Sequence, residues 1–268
     1  MFLDELRFVF ARRRTLISFL VLAAIPILLG VVVATLGGPH NNNGQGPPFL
    51  DRITHNGVFL GVTAITSAQL VIIPLVISIV AGEAFSAEAT NGTLRYLLVA
   101  PVTRNRLLLT KSTVVLIYSM AATIFVVLVG LAVGAVLFPI GSVVTLSGSE
   151  ISLADGVARV LVLGVLAGVS TFSIVAIGIF ASTLTDSAIG AAAITFGVVI
   201  VLSILDGIPQ LVGISPLFLG HYWTSGLDLF RSPVTYAQIA KNLEEQAGWM
   251  IIFFSAAWAR FSTKDLLS

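Results

Sequence analysis

Cysteine and charge are what this 268-residue sequence lacks most clearly. It has no cysteine, so disulfides, thiolate metal sites and thiol catalysis are excluded. Only 10% of its residues are charged and 57% are hydrophobic, whereas about a quarter of the residues in a typical soluble domain are charged. The formal net charge is +1, and no basic stripe with interleaved aromatics points to nucleic acid as a partner. This composition predicts an integral membrane protein.

Recognisable catalytic chemistry is also missing from the sequence. A P-loop needs the pattern G-x-x-x-x-G-K-[ST], and the Lys-Ser pair at 111–112 follows a threonine where the glycine should stand. His40, His55 and His221 are far apart in the sequence, so solvated loop histidines are a better interpretation than a metal site. The sequence therefore predicts no catalytic, cofactor-binding or metal-ligating residue in this chain.

Long apolar runs predict an all-α membrane domain with six transmembrane helices, since about 20 apolar residues span a bilayer core of ~30 Å. The first run, Thr15–Leu36, is too long for the apolar core of a signal peptide, which covers ~7–15 residues. The sixth run is the shortest, and it needs an extension toward Leu243 or a tilted arrangement to cross. The predicted spans are residues 15–36, 58–81, 113–138, 157–184, 187–208 and 243–259.

The distribution of basic residues orients these spans. Six spans put both termini on one side, and a cytoplasmic location of the termini places ten of the 14 Lys and Arg residues in cytoplasmic segments. The segment 82–112 is then cytoplasmic, and the segment 209–242 is outside. The aromatic residues of 209–242 suit a membrane interface, so short interfacial or re-entrant helices are expected there.

Residues 1–14 have the pattern of an amphipathic helix that lies on the inner leaflet. Three consecutive arginines at 12–14 follow the helical stretch. Its apolar residues fall on one side of a helical wheel, namely Phe2, Leu3, Leu6, Val9 and Phe10. The alternative is a frayed tail whose arginines only set the topology.

Two of the predicted spans carry several polar side chains on one side. These are Thr63, Thr66, Ser67 and Gln69 in the second span, and Ser170, Thr171 and Ser173 in the fourth. Such residues either hydrogen-bond to neighbouring helices or line a transport pathway. The patterns G-x-x-x-G at 130–134 and 164–168 indicate close helix packing, either within one subunit or between subunits.

The segment 82–112 is a dense polar stretch between two apolar runs. Its Asn-Gly-Thr turn at 91–93 can cap a short helix over Leu94–Ala100, which Pro101 would end. A short helix held just under the membrane suits the docking of a cytoplasmic partner. An ordinary basic loop is the alternative.

This segment resembles the inner loop of the membrane subunits of ABC-2-type transporters. That loop follows roughly G-E-x-x-x-x-E-x-x-x-G-T-L-x-x-L-L-x-x-P-V-x-R-x-x-x-x-x-x-K. The matching residues here are Gly82-Glu83, Glu88, Gly92-Thr93-Leu94, Leu97-Leu98, Pro101-Val102, Arg104 and Lys111. The loop over residues 180–192, which contains Asp186, is similar to the second cytoplasmic contact of that family.

The resemblance implies a permease without an ATPase of its own, in a prokaryotic cytoplasmic membrane. It would work as a homodimer or heterodimer with two copies of a cytoplasmic ABC ATPase, which carry the ATP and Mg²⁺. Leu94–Ala100 would be the coupling helix that receives force from the ATPase. The residues expected to contact the ATPase or to anchor the hinge are Glu83, Glu88, Gly92, Thr93, Leu94, Arg95, Leu98, Pro101, Arg104 and Asp186.

The function that follows from this resemblance is ATP-driven export by alternating access. The spans offer hydroxyl groups and apolar walls but no fixed charge cluster, which favours amphiphilic or apolar cargo such as a drug, a peptide or a lipid. An ATP-independent secondary transporter or channel is an alternative, and a non-transporting membrane assembly factor is another.

Overall fold

The computed structural model describes residues 2–36, 48–90 and 104–263, and this part of the chain is mostly helical. Its helices share one apolar core. In chain order the elements are α1 (Phe2–Ala11), α2 (Arg13–Leu36), α3 (Pro48–His55), α4 (Val58–Leu70), α5 (Ile72–Thr90), α6 (Arg104–Leu137), β1 (Val143–Val144), β2 (Glu150–Ile151), α7 (Leu153–Ser170), α8 (Phe172–Leu184), α9 (Ala188–Asp206), three short 3₁₀ helices (Pro209–Leu211, Ser215–Leu217, Trp223–Phe230) and α10 (Ala237–Thr263).

Much of this helical content is long and apolar enough to cross a membrane. In the described residues four segments meet that condition, namely α2, α6, α7 together with α8, and α9. The bent pair α4 and α5 adds a fifth if it counts as one span. Helix α10 falls outside this set, and its first half carries Lys241, Glu244 and Glu245. The fold is therefore that of an all-α membrane protein with four or five candidate spans.

The predicted second span is not one straight helix. Helices α4 and α5 meet at Val71 with a bend of 56°. Pro74 explains the break, because a proline ring clashes with the carbonyl group four residues earlier, which here belongs to Leu70. Helix α5 also continues past the predicted end at residue 81, so that it carries Glu83 and Glu88.

The other predicted spans differ from the observed helices at breaks and ends. Helix α6 begins at Arg104 and not at 113, so the last part of the predicted cytoplasmic segment is already helical. The predicted fourth span consists of two helices, α7 and α8, which meet at Thr171. Helix α10 covers Ala237–Thr263 and extends beyond the predicted 243–259 at both ends.

The N-terminal residues form the predicted helix. Helix α1 is connected to α2 by a tight elbow at Arg12, and the Thr15 hydroxyl donates a hydrogen bond to the Val9 carbonyl oxygen at 2.5 Å. The Phe10 ring packs against the rings of Phe19 and Tyr118, with centroids 6.2 and 5.9 Å away. Helix α1 is thus folded onto α2 and α6 and is not a frayed tail.

The two G-x-x-x-G patterns pack inside the chain. A Cβ added to Gly134 of α6 would lie 2.1 Å from the carbonyl oxygen of Gly57, and one added to Gly130 would lie 2.7 Å from the Cα of Gly61. The second pattern, at 164–168, packs α7 against side chains of α6. Both patterns therefore bring helices of one subunit together, as in the first of the two predicted alternatives.

A small hairpin closes one end of the helix bundle. Strands β1 and β2 pair antiparallel between α6 and α7. The Leu146 N–H donates to the Phe230 carbonyl oxygen at 2.7 Å, and Arg159 Nη1 donates to the Leu229 carbonyl oxygen at 2.6 Å. These bonds attach the last 3₁₀ helix to the hairpin and to α7. The sequence predicts short helices within 209–242, and the 3₁₀ helices lie there, but it does not predict the hairpin.

Candidate functional site

Charged side chains collect at the end of the bundle opposite the hairpin. They come from α1, the α1–α2 elbow, the first turn of α2, α5 and α6, and the residues that define this charged end are Glu5, Arg12, Arg14, Glu83 and Lys111. Charges at membrane-spanning segments are costly and are kept for function or topology. In a chain with so few charges, this cluster is the first candidate for a functional site.

Two arginines hold Glu83 at the charged end. Nη1 of Arg12 and Nη1 of Arg14 donate to its two carboxylate oxygens, at 3.2 and 2.5 Å. The Glu83 side chain is only 11% exposed, so it has little water to replace these partners. Each partly exposed ion pair contributes about 1 kcal/mol or less, but both act on the same carboxylate. The elbow between α1 and α2 is thereby tied to the last turns of α5.

Lys111 makes a second link, between α1 and α6. Its Nζ donates to Glu5 Oε1 at 2.8 Å, and its side chain is only 4% exposed. A buried ammonium is costly, and the Glu5 carboxylate offsets part of that cost. The Phe85 ring of α5 lies with its centroid 5.9 Å from the same Nζ. Lys111 therefore joins α1, α5 and α6.

Gly82 brings α5 into direct contact with the first turns of α9. A Cβ at this position would lie 2.7 Å from the backbone nitrogen of Ala192 and 3.2 Å from the carbonyl oxygen of Ala188. The two helices thus touch through backbone atoms, which only glycine permits. The glycine of the predicted Gly-Glu pair has a packing role, and the glutamate beside it has an ion-pairing role.

The turn before α9 contains the other predicted contact that the structure describes. Ser187 caps α9 by accepting a hydrogen bond from the Gly190 N–H at 3.1 Å. Asp186 lies exposed just before this cap. Because α9 starts against Gly82, the structure places Asp186 and Glu83 in neighbouring parts of the charged end.

The C-terminal helix also reaches the charged end. Trp258 Nε1 of α10 donates to Asn105 Oδ1 of α6 at 3.0 Å. The Phe261 ring lies 4.8 Å from the Phe85 ring of α5, centroid to centroid. Five helices, α1, α5, α6, α9 and α10, therefore meet around the ends that flank residues 91–103 in the sequence.

The remaining residues predicted to contact an ATPase fall into two groups. Glu88 lies in α5 and Arg104 begins α6, so they flank the predicted coupling helix on either side. The others lie outside the described residues, namely Gly92, Thr93, Leu94, Arg95, Leu98 and Pro101. Their role stays a prediction.

Sequence reasoning missed the ion-pair partners of the charged end. It used Arg12 and Arg14 as support for an interfacial helix and for the topology, and it treated Lys111 only as a cytoplasmic charge and the last residue of a motif. A signal was available, because a carboxylate at the end of an apolar helix needs a cation close by. The sequence alone does not say which cation, since the pairs join residues about 70 to 106 positions apart.

Of the polar residues of the second predicted span, Thr63, Thr66 and Ser67 are partly or fully exposed and Gln69 is buried, and a pathway-lining role stays a prediction. The hydroxyls of Thr63 and Thr66 donate to the carbonyl oxygens of Phe59 and Val62 in their own helix, at 3.0 and 2.9 Å. Ser67 is exposed. Gln69 is buried next to the α4–α5 break.

Two of the three polar residues of the fourth predicted span, Ser170 and Ser173, hydrogen-bond to α10, whereas the Thr171 hydroxyl donates to the Gly168 carbonyl oxygen. Asn242 Nδ2 donates to Ser170 Oγ at 2.7 Å, and Ser173 Oγ donates to Gln246 Oε1. Gln246 Nε2 also donates to the Leu219 carbonyl oxygen at 3.3 Å. We name Ser170, Ser173, Asn242 and Gln246 the polar seam. In the described residues these serines connect helices, and a pathway-lining role stays a prediction.

Together, the fold and the charged end define a multi-pass helical membrane protein. Residues 8–203, from within α1 to within α9, match the sequence model of ABC-2 family transporter proteins. The chain therefore belongs to the ABC-2 transporter family, and it is a membrane component of a transporter rather than a catalytic subunit. Family membership implies association with an ABC ATPase in general. No curated protein sequence matches the chain.

Proposed function

We propose that this chain is the permease subunit of an ATP-driven ABC exporter, in which a separate cytoplasmic ATPase hydrolyses the ATP. The observation that carries the proposal is the backbone contact at Gly82, which packs the part of α5 that bears Glu83 against the start of α9, just after Asp186. Force applied to residues 91–103 would act directly on α5 and α6. It would reach the start of α2 through the ion pairs of Glu83, α1 through the Lys111–Glu5 pair, and α9 through the backbone contact at Gly82.

In this proposal the protein crosses the membrane six times, with both termini and the charged end in the cytoplasm. The six spans are α2, α4 with α5, α6, α7 with α8, α9 and α10. The excess of Lys and Arg in the segments assigned to the cytoplasm supports this orientation. The polar seam supports α10 as a span, because Asn242 and Gln246 find hydrogen-bond partners in α7 and α8.

The complete exporter would contain two permease chains and two ATPase chains, and ATP and Mg²⁺ would be bound by the ATPase. The second permease would be a copy of this chain or a related one. The cargo would be amphiphilic or apolar, since most of the hydroxyl groups described within the candidate spans donate to carbonyl oxygens of their own helix. Alternating access would come from the helices that meet at the charged end.

The double substitution Leu94→Glu with Arg95→Glu tests this function. Purification of the tagged chain from its native membranes in a mild detergent should co-purify an ABC ATPase with measurable ATP hydrolysis. The double variant should lose that ATPase, because two acidic residues would replace an apolar and a basic contact on the predicted coupling helix. Lys241→Glu is the matched control, since it reverses one exposed charge in α10 away from the charged end and should keep the ATPase.

Two outcomes would contradict the proposed function. One is retention of the ATPase and of its activity by the double variant. The other is cargo movement in liposomes by the purified chain alone without ATP, which would indicate a secondary transporter or a channel.

A further inference from the structure

A deep groove lies beside the ion pairs of the charged end. It has a volume of about 560 Å³ and lies between helices α1, α2, α5, α6 and α9. This volume is within the usual range of small-molecule sites, roughly 300–1,000 Å³. None of the ion pairs occupies this volume, so the groove is a separate candidate site beside them.

The walls of the groove are apolar and partly open to the surroundings. Ile17 of α2 is 61% exposed, Ile79 of α5 is 40% exposed and Ile189 of α9 is 84% exposed. Exposed isoleucines on membrane-spanning helices face acyl chains or another protein chain rather than water. The groove of the single chain is therefore accessible to an acyl chain of the bilayer.

The charges of the groove are all at one end. The five residues that define the charged end line this rim, and they supply three cations against two carboxylates. Arg14 is the most accessible of the paired cations, with 76% of its side chain exposed. Its guanidinium has five N–H donors, and one Nη1 contact to Glu83 leaves donors for an anion. The rim thus carries a net positive charge and an available donor group.

The length of the groove matches one leaflet of a bilayer. On α5 the lining extends from Leu75 to Glu83. These eight steps correspond to about 12 Å at the ~1.5 Å rise of a helix. Half of a ~30 Å hydrocarbon core is about 15 Å. A molecule with a polar head at the rim and one chain in the groove would therefore be in register with the leaflet at the charged end.

We propose that this groove binds one acyl chain of an anionic phospholipid, with the headgroup phosphate beside Arg14. The apolar walls select the chain, and the positive rim favours an anionic headgroup over a zwitterionic one, whose own cation would be repelled. The lipid is a bound partner of the membrane domain whether or not this protein exports lipid. The proposal thus goes beyond the proposed function and does not depend on an ATPase.

The test measures binding to the purified full-length chain in neutral detergent. Dioleoyl phosphatidylglycerol, dioleoyl phosphatidylcholine and inorganic phosphate are added separately, and bound lipid is detected by native mass spectrometry together with the melting temperature. Phosphatidylglycerol should stay bound and raise the melting temperature. Phosphatidylcholine should do so less, and phosphate alone should have no effect, because it has no chain for the groove.

Two variants separate the groove from the rim. Ile79→Trp should abolish phosphatidylglycerol binding by filling the groove, and Ile79 is exposed enough for the larger ring to be tolerated. Arg14→Gln should weaken binding about fivefold, the usual effect of one basic residue near an anionic lipid, and should remove the preference over phosphatidylcholine. Val136→Trp is the control, because Val136 is 83% exposed and does not line the groove.

Several results would overturn this assignment. Full phosphatidylglycerol binding by Ile79→Trp would place the lipid elsewhere, and equal loss in Val136→Trp would show a general effect of surface tryptophan. Equal binding of both lipids would show that the rim has no preference for an anionic headgroup. An effect of phosphate alone would show that the acyl chain is not needed for binding. If the purified chain is a dimer that binds no lipid, the groove would be occupied by a second copy of the chain. If Ile79→Trp does not fold, Arg14→Gln decides the outcome by the lipid preference alone.

Discussion

Gly134 shows at the scale of one residue how closely α4 and α6 pack. A Cβ at this position would lie 2.1 Å from the Gly57 carbonyl oxygen, a backbone atom that cannot rotate away. Gly134→Ala should therefore push the two helices apart and lower the free energy of unfolding by about 1–3 kcal/mol. The thermal unfolding of the detergent-solubilised protein measures this change.

Gly197 in α9 provides the matched control for that substitution. A Cβ added to Gly197 meets no described atom within 4 Å, so Gly197→Ala should be neutral or should stabilise the helix slightly. Equal melting temperatures for Gly134→Ala and the wild type would contradict the close packing. The sequence predicted that Gly130 and Gly134 pack closely, but it could not identify Gly57 and Gly61, because a spacing within one helix carries no information about the partner helix.

The polar seam determines how α10 packs at the scale of whole elements. Asn242 and Ser170 belong to α10 and α7, and both are buried. A double-mutant cycle with Asn242→Ala and Ser170→Ala should give a coupling energy of about 0.5–2 kcal/mol, which is the range for hydrogen bonds between membrane helices. Unfolding in mixed micelles titrated with sodium dodecyl sulfate measures the four free energies that the cycle needs.

The exposed Glu244 gives the reference for this cycle. Glu244→Ala combined with Ser170→Ala should be additive, because Glu244 lies on α10 away from the seam. If Asn242→Ala and Ser170→Ala were equally additive, the hydrogen bond would contribute nothing to the packing of α10.

The elements that sequence patterns predicted best are those whose apolar runs are uninterrupted. Helices α2 and α9 agree closely with the predicted spans, since every turn of such a run favours burial in lipid. The break at Val71 could have been predicted from Pro74, because the clash with Leu70 is local. The length of α10 could not, since its polar first turns are stabilised by partners that only the folded chain supplies.

At the scale of the whole molecule, the membrane class could be predicted from the sequence, but the contacts of the candidate site could not. Composition alone predicts the class, because a chain with 10% charged residues cannot cover a water-facing surface. The charged end depends on contacts between distant residues, such as Glu5 with Lys111. The family resemblance pointed to Glu83, but only the fold shows that Arg12 and Arg14 bind it.

The absence of native cysteine makes the proposed six-span topology directly testable. Ser142→Cys introduces a single thiol at the hairpin end, and Thr263→Cys introduces one at the charged end, both at exposed positions. A maleimide that cannot cross membranes, added to intact cells, should label Ser142→Cys and leave Thr263→Cys unlabelled. Both variants should be labelled after the membranes are opened with detergent, which controls for thiol accessibility.

The pattern of labelling also decides whether α10 crosses the membrane. A third thiol, Arg13→Cys, lies exposed near the N-terminus and should behave like Thr263→Cys if the number of spans is even. Labelling of Thr263→Cys but not of Arg13→Cys in intact cells would mean an odd number of crossings, with α10 or the α4–α5 pair turning back within the bilayer. Labelling of Arg13→Cys and Thr263→Cys but not of Ser142→Cys would invert the orientation, and the charged end could then not meet a cytoplasmic ATPase. Protection of both terminal thiols places the charged end on the side where ATP is hydrolysed, as coupling through Glu83 and Asp186 requires.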